Sequence, residues 1–284
     1  MKKVVVLGSA GMAGHIMAEY LDNTKEFDVF GIAREPGRYV SEQLDVTDFI
    51  GLERVLEKIK PDYLVNCIGV LVGKSANDIC SAIQINSYLP HFLSRIGKSI
   101  GFKLIHVSTD CVFSGKDGHY QENSFRDGDD NYARTKALGE VMNDRDLTIR
   151  TSIIGPELKK NGTGLLGWFL MQNGEISGYS KAYWSGVTTL ELAKATRELI
   201  KQNVVGLYQL CPTEKISKYD LLGIFAQEWG KEIKVIPSEN YEVDKSLVCT
   251  RKDFNYVVPG YVQMLKELHT WMDQHADYYL HYKM

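Results

Sequence analysis

No apolar run in this chain approaches the roughly 20 residues that a helix needs to cross a bilayer. Met1-Lys2-Lys3 leads straight into a short strand instead of the apolar stretch of a signal peptide. The expected location is therefore the cytoplasm, with no membrane partner. Cysteine is scarce: five residues, at 67, 80, 111, 211 and 249, are odd in number and lack the paired spacing of metal ligands. That pattern indicates neither a disulfide framework nor a zinc site, and the thiols read as reduced. Long basic runs are missing too, and the net charge is −3, which argues against nucleic acid or an anionic membrane as the main partner. Any anionic ligand must be met by local groups. Internal repeats and low-complexity tracts are absent. What remains is 284 residues, 44% of them hydrophobic, enough to bury the core of one large domain or of a domain with a smaller appended lobe.

Residues 3–7 (Lys-Val-Val-Val-Leu) form a continuous apolar run of strand length, followed by Gly8 and an apolar-periodic stretch from Met12 to Leu21. This is strand, tight loop, helix. Further short strand-like runs at 28–33, 63–67, 103–107 and 147–150 alternate with helical patterns at 52–59 and 79–96. The alternation predicts an α/β fold, a Rossmann-type doubly wound parallel sheet with helices on both faces. After Gly155-Pro156, glycines at 162, 164, 167, 174, 178 and 186 punctuate an aromatic-rich region. Thr188-Thr189-Leu190-Glu191 reads as a capping box opening a helix to about residue 202, and 206–211 as a strand able to rejoin the sheet. The expected organisation is a dinucleotide-binding domain at 1–155, rejoined by 187–212. A smaller interleaved substrate lobe takes 156–186 and 213–284. Tyr261, Leu265, Leu268 and Met272 trace a packing stripe on a terminal helix.

Gly8-Ser9-Ala10-Gly11-Met12-Ala13-Gly14 joins the first strand to the first helix. Glycines let the backbone turn sharply and approach a pyrophosphate, while the free N–H groups and dipole of the helix start attract the anion. At the end of the second strand, where an acidic residue would hydrogen-bond the ribose hydroxyls of NAD, the chain has Ala33-Arg34. An arginine there pairs with a 2′-phosphate, so NADPH is the expected cofactor and NADH the alternative, with Arg38 as a helper. Asp45-Val46 follows a third short strand as an adenine-edge contact. Cys67-Ile68-Gly69, after Asn66, closes the fourth strand where ribose and nicotinamide should lie.

The segment Asn131-Tyr132-Ala133-Arg134-Thr135-Lys136 places a phenol and an ammonium four residues apart on one helix face. A cation held beside the phenol favours the phenolate, which brings proton exchange with a carbonyl or alcohol toward neutral pH. Ser108-Thr109 ends the fifth strand, which puts Thr109 at the ligand-binding edge as a donor to the reacting oxygen.

With these residues together, the chain resembles the extended short-chain dehydrogenase/reductases, and within them the dTDP-4-dehydrorhamnose reductase-like group. The matching pieces are Gly8 to Gly14, Val65-Asn66, Ile85-Asn86, Ser-Thr-Asp-x-Val-Phe-x-Gly at 108–115, Tyr132 to Glu140, and Arg150-Thr151-Ser152. The resemblance implies reduction of the 4-keto group of a nucleotide-linked 6-deoxyhexose. Tyr132 would protonate the new oxyanion, Thr109 would hold the oxygen, and Lys136 would bind the nicotinamide ribose and lower the tyrosine's pKa. It also implies Asn86 among the cofactor contacts, Cys111, Val112 and Thr151 beside the substrate, and a homodimer paired through helices. Trp168, Tyr183 and Trp184 are aromatic candidates for stacking on the sugar or base, and Lys159, Lys160, Lys245 and Arg251 are candidates for the diphosphate.

Two departures bear on the substrate. Cys111 stands where rhamnose-type reductases carry tyrosine. An epimerase/reductase would use such a thiol as a base, but it also needs a partner histidine, and none occurs between His119 and His269. A non-epimerising role is favoured. Ile153-Ile154 replaces the usual aromatic, which leaves the sugar open. The third alternative is a non-catalytic nucleotide-binding subunit, such as the regulatory subunit of methionine adenosyltransferase. The intact Thr109, Tyr132 and Lys136 weigh against it.

Overall fold

The computed structural model describes residues 1–160, 162–254 and 256–282. Six strands precede residue 152: β1 (Lys2–Leu7), β2 (Phe27–Ala33), β3 (Glu42–Gln43), β4 (Tyr63–Asn66), β5 (Lys103–Thr109) and β6 (Leu147–Thr151). Six more follow: β7 (Ile153–Ile154), β8 (Gly174–Trp184), β9 (Val187–Thr188), β10 (Gly206–Gln209), β11 (Ile216–Ser217) and β12 (Ile233–Asp244). The main sheet has the order β10-β6-β5-β4-β1-β2-β3, every pair parallel. This is the doubly wound topology expected from the alternation of apolar runs. Helices α1 (Met12–Asn23), α2 (Phe49–Ile59), α3 (Val72–Asn77), α4 (Ile79–Ala82), α5 (Leu89–Ile100) and α6 (Asn131–Leu138) connect its first six strands.

The alternation of side chains along β1 decides how the two faces are covered. Val4 and Val6 point to one side, in a cluster with Ile16, Met17 and Leu21 of α1. Val5 and Leu7 point to the other, with Leu52 and Leu56 of α2 and Phe92, Leu93 and Ile96 of α5. A strand buried on both faces reads as continuous hydrophobicity, which is why residues 3–7 show no polar alternation. Each fully buried Leu, Ile or Phe contributes roughly 1.5–3 kcal/mol relative to exposure.

The predicted helix at 79–96 is interrupted. Residues Ile83–Tyr88 form a π-turn between α4 and α5. Pro90 lacks the N–H that would bond to the Asn86 carbonyl, and that carbonyl lies against the end of α6, where a Cβ on Gly139 would come within 1.8 Å of it. The π-turn thus seats the tyrosine- and lysine-bearing helix close to the sheet.

After β6 the chain forms α7 (Leu165–Leu170), α8 (Thr189–Lys201), α9 (Lys218–Glu228) and α10 (Tyr261–Gln274). Thr188 caps α8 by accepting from Glu191 N at 3.1 Å. The reciprocal half of the capping box is replaced, because the Glu191 carboxylate accepts from the Tyr256 hydroxyl at 2.5 Å. A second sheet, β11-β8-β12, pairs β8 with β12 in parallel and with β11 antiparallel. It stands over the carboxyl ends of β5 and β6 through the Tyr120–Leu247 bridge and the Asp244 N–H donated to Gly115 O at 2.7 Å. Among the described residues, no helix is long and apolar enough to cross a membrane, and no group of three or more His, Cys, Asp and Glu is placed to hold a metal ion.

Candidate active site

A cleft of about 930 Å³ opens at the carboxyl edge of the main sheet. Gly8, Ala10 and Gly11 form its floor, Arg34, Asp45 and Val46 one end, and Cys67, Ile68 and Gly69 the other. Gly8 adopts φ +81°, and a Cβ on Gly14 would fall 2.0 Å from the Gly8 carbonyl oxygen, so the helix start can lie against the loop only with glycine there. Gly11 caps α1 with no side-chain hydrogen bond, which leaves first-turn N–H groups for a ligand. The Arg34 side chain is 63% exposed, with its Nη1 3.9 Å from Asp45. Asp45 accepts from Thr47 N at 2.9 Å and Thr47 Oγ1 at 2.8 Å, and these bonds hold its carboxyl below the usual carboxylate range.

Thr109, Tyr132 and Lys136 meet just beyond the Cys67 end. Asp130 caps α6 by accepting from Ala133 N at 2.8 Å. Asn131 Nδ2 donates to Ser75 O at 3.2 Å, which ties the helix to α3. The Tyr132 hydroxyl shares a hydrogen bond with Thr109. Thr109 Oγ1 donates to Asp110 Oδ1 at 3.1 Å and accepts from Cys111 N at 3.1 Å. Lys136 Nζ donates to Val107 O at 2.8 Å and lies 3.4 Å from His106 Nε2.

The electrostatics correct one expectation. Burial, reinforced by Cys111 and Asp110, pushes the Tyr132 phenol up, and only the Thr109 hydrogen bond opposes it. Lys136 does not lower it, because its amine is turned toward Val107 O and His106. Burial brings Lys136 itself down to about 8, against the pull of Glu140 and Cys67. Burial and Asp110 push the Cys111 thiol up to about 12. In the ligand-free protein the tyrosine is thus a neutral phenol, fit to give a proton, and the cysteine a neutral thiol, poorly suited to take one.

Several other predicted residues lie elsewhere. Val112 is 0% exposed and packs with Phe113, Tyr120 and Leu247, so it is no substrate wall. Thr151 is buried, with Oγ1 donated to Leu210 O at 2.7 Å, a clasp between strands. Trp184 is 4% exposed and tilts on Tyr261 with 5.8 Å between ring centroids, so no sugar can stack on it. Arg251 donates to Val205 O at 2.6 Å and Leu207 O at 3.0 Å and pairs with Asp253, at the end of β10 opposite the ligand edge. Asn86 is fully buried and braces the 67–70 loop, bonding to both the N–H and C=O of Val70 and to Thr135 Oγ1. Ser9 lines a separate cavity of about 170 Å³ behind the glycine loop. Arg38 lines the same cavity, 3.9 Å from Glu19 and stacked on Tyr278. Met12 is not in the cleft wall and underlies Gly164, where a Cβ would meet its sulfur at 3.5 Å.

Asp110 and Lys218 were not predicted at the site, whereas Lys245 was. Asp110 is buried beside Thr109, its carboxyl pushed up by burial and pulled back by Lys245 and Lys218. Lys245 therefore faces the site from the second sheet. Lys218, at the start of α9, joins it with Nζ 4.8 Å over the Trp184 ring, and burial brings it down to about 8. Lys159, a diphosphate candidate from the sequence, lines the cleft together with Lys74 and Thr163, which were not predicted. The signal for Asp110 was its place in the Ser-Thr-Asp run. Nothing local marks Lys218, which is 108 residues after Asp110 in the chain and reaches it only through the β11–β8 pairing.

Residues 1–246 match the family model described as RmlD substrate binding domain. A curated relative from Streptomyces niveus, dTDP-4-keto-6-deoxy-D-glucose reductase, is 24% identical over 248 residues, 83% of this chain and 82% of the relative. Methionine adenosyltransferase 2 subunit beta of Xenopus tropicalis is 22% identical over 240 residues, 78% of this chain and 70% of the relative. The fold matches that of a dTDP-4-dehydrorhamnose reductase from Bacillus anthracis solved in complex with NADP. The TM-score is 0.79 at 20% identity, covering 95% of this chain and 99% of that one. A family match over most of the chain, on a seven-stranded parallel sheet with its glycine loop and Tyr-x-x-x-Lys helix in place, leads to one conclusion: the chain belongs to the RmlD substrate-binding domain family.

Proposed function

We propose that this protein is an NADPH-dependent reductase of the 4-keto group of a nucleotide-linked 6-deoxyhexose, acting in the supply of cell-surface polysaccharide precursors. The observation that carries the proposal is the convergence of Thr109, Tyr132 and Lys136 at the end of a cleft built for a dinucleotide. The cleft fits the cofactor on its own geometry: a loop that excludes a Cβ at Gly14, uncapped N–H groups at α1, and an exposed Arg34 for a 2′-phosphate. When bound, a reduced nicotinamide supplies hydride. The chain's own residues do the rest. Thr109 orients the ketone oxygen, Tyr132 gives it a proton, and Lys136 holds the ribose while restoring charge balance near the phenol. The neutral phenol of Tyr132 favours reduction, which begins with an acid.

Lys218 and Lys245, the two cations that act on Asp110 beside Thr109, are our candidates for meeting an anionic group of the substrate. The neutral thiol of Cys111 supports a reductase that does not epimerise. Two interleaved lobes at the bounds expected from the sequence remain our reading of the domain organisation. The exposed Tyr88 and Leu138 on adjoining segments support a homodimer.

The test is NADPH oxidation followed at its absorbance band with dTDP-, UDP- and GDP-linked 4-ketohexoses, in parallel with Tyr132→Phe. Turnover of one sugar that is lost in the variant is expected. Cofactor binding without consumption across the whole panel would favour the regulatory-subunit alternative instead.

A further inference from the structure

Behind Lys136 lies a buried hydrogen-bonded chain that the proposed chemistry does not use. Asn66 Oδ1 accepts from Ile68 N at 3.1 Å, which fixes the orientation of the amide. Its Nδ2 therefore faces His106 Nδ1, at 3.2 Å, as a donor. A ring nitrogen that accepts carries no proton, so the neutral imidazole bears its proton on Nε2. His106 is fully buried, and burial together with the Lys136 charge and His91 holds the ring well below the usual histidine range, so it is neutral. Nε2 lies 3.4 Å from Lys136 Nζ, which already donates to Val107 O.

An ammonium at Nζ would set N–H against N–H at that contact. A neutral amine turns its lone pair to the imidazole proton and keeps both bonds. We infer that Asn66 and His106 act as a positioning pair that lowers the proton affinity of Lys136 in the ligand-free protein, so that above neutral pH the lysine gains a proton from solvent when NADPH binds. The ionisable groups facing Lys136 are Glu140 from the segment just past its helix, Cys67 from the loop after β4 and His106 from β5. Glu140 favours the ammonium, and the imidazole contact opposes it. A cofactor brings ribose oxygens as acceptors and a diphosphate as counter-charge, which reverses the balance. The inference rests on Lys136 standing at the cofactor site, but its first readouts need neither cofactor nor substrate.

The experiment uses the full chain labelled with 15N at histidine and 13C at lysine Cε, with His106→Phe and Lys136→Met assigning the two signals. Long-range proton–nitrogen spectra are expected to show His106 protonated at Nε2 and bare at Nδ1 across the neutral range. A ring protonated at Nδ1, or doubly protonated, overturns the inference. The Lys136 Cε signal is expected to titrate near pH 8 in the free protein. In Asn66→Asp, the carboxylate would draw the imidazole proton to Nδ1 and turn the Nε2 lone pair to the lysine. The midpoint should then rise by about one pH unit, a tenfold change in proton affinity. An unmoved midpoint in a folded variant overturns the inference, and if that variant does not fold the wild-type tautomer decides alone. Addition of NADPH should raise the wild-type midpoint, with uptake of protons by calorimetry in buffers of different ionisation heat, and binding without uptake near pH 8 overturns the linkage. A protein that shows all of this yet reduces no keto sugar sinks the proposed function and leaves the inference standing.

Discussion

Replacing Glu140 by alanine removes the acceptor at the centre of a buried charge cluster. The Glu140 side chain is 0% exposed and accepts from Arg150 Nε at 2.8 Å, Arg150 Nη2 at 2.7 Å, Ser108 Oγ at 2.8 Å and Arg126 Nη1 at 3.0 Å. Without it the Arg150 guanidinium, 1% exposed, keeps hydrogen bonds to Gln209 Oε1 at 3.1 Å and Glu122 O at 3.4 Å and its place over the Phe113 ring, 4.9 Å from the centroid, but no anion. An uncompensated buried charge costs about 3–5 kcal/mol. Glu140→Ala should lower stability by that amount, read from the urea midpoint followed by circular dichroism. The double variant Glu140→Ala/Arg150→Met should recover part of the loss, since the one cation it leaves without its carboxylate, Arg126, is a third exposed and keeps its bond to Ala137 O at 3.0 Å. The sign of the pH dependence follows from the carboxyl. Burial pushes Glu140 up, but Arg150, Ser108 and Arg126 outweigh it and hold the folded-state value below the ordinary one. A depressed carboxyl contributes stability that is complete above the unfolded value of about 4.3 and is lost as pH falls toward the folded one. The gap between parent and Glu140→Ala should therefore be constant near neutrality and shrink in acid. A loss under about 1 kcal/mol, or a gap that does not narrow in acid, would refute the assignment of this cluster as a buried ion network.

Tyr132→Phe should reduce turnover of the keto sugar by roughly 10²–10⁴ and leave NADPH affinity, measured by fluorescence titration, nearly unchanged. Arg34→Asp should weaken NADPH relative to NADH by about 1.5–3 kcal/mol in competitive binding, the size of a lost charge-assisted contact. An unaltered preference would remove Arg34 from the cofactor site. Cys111→Ala should retain most of the rate and incorporate no solvent deuterium beside the new alcohol, whereas deuterium in the parent's product would establish an epimerising base. Gly139→Ala would drive a Cβ to within 1.8 Å of the Asn86 carbonyl oxygen. Overpacking of this kind costs about 1–3 kcal/mol, and thermal melting should show it even though the substitution favours helix elsewhere.

The main sheet was legible because parallel strands buried on both faces leave unbroken apolar runs, as Val4 to Leu7 do, and because the glycine loop sits where the first strand gives way to a helix. The chemical trio was legible for a similar reason: Tyr132 and Lys136 are related by helical spacing and Thr109 by a strand end, so short-range geometry alone brings them to one edge. The misplaced residues share a different property. Val112, Thr151 and Asn86 lie within a few residues of true edge positions, and a turn of one residue takes a side chain from the cleft into the core. Trp184 and Arg251 were chosen by residue type, which carries no information about what covers them.

The sequence by itself therefore determined the doubly wound architecture, the glycine loop and the helical spacing of Tyr132 and Lys136, because each leaves a local pattern along the chain: unbroken apolar runs, clustered glycines, a four-residue interval. Only the tertiary structure decided the protonation states and the substrate side of the site. The phenol of Tyr132 stays neutral because burial, with Cys111 and Asp110 beside it, outweighs the Thr109 hydrogen bond, while the lysine points away to Val107 and His106. Lys218 reaches Asp110 because β11 pairs with β8 over the sheet edge. Desolvation and long-range charge are sums over everything packed around a group, and that sum exists only once the chain has folded.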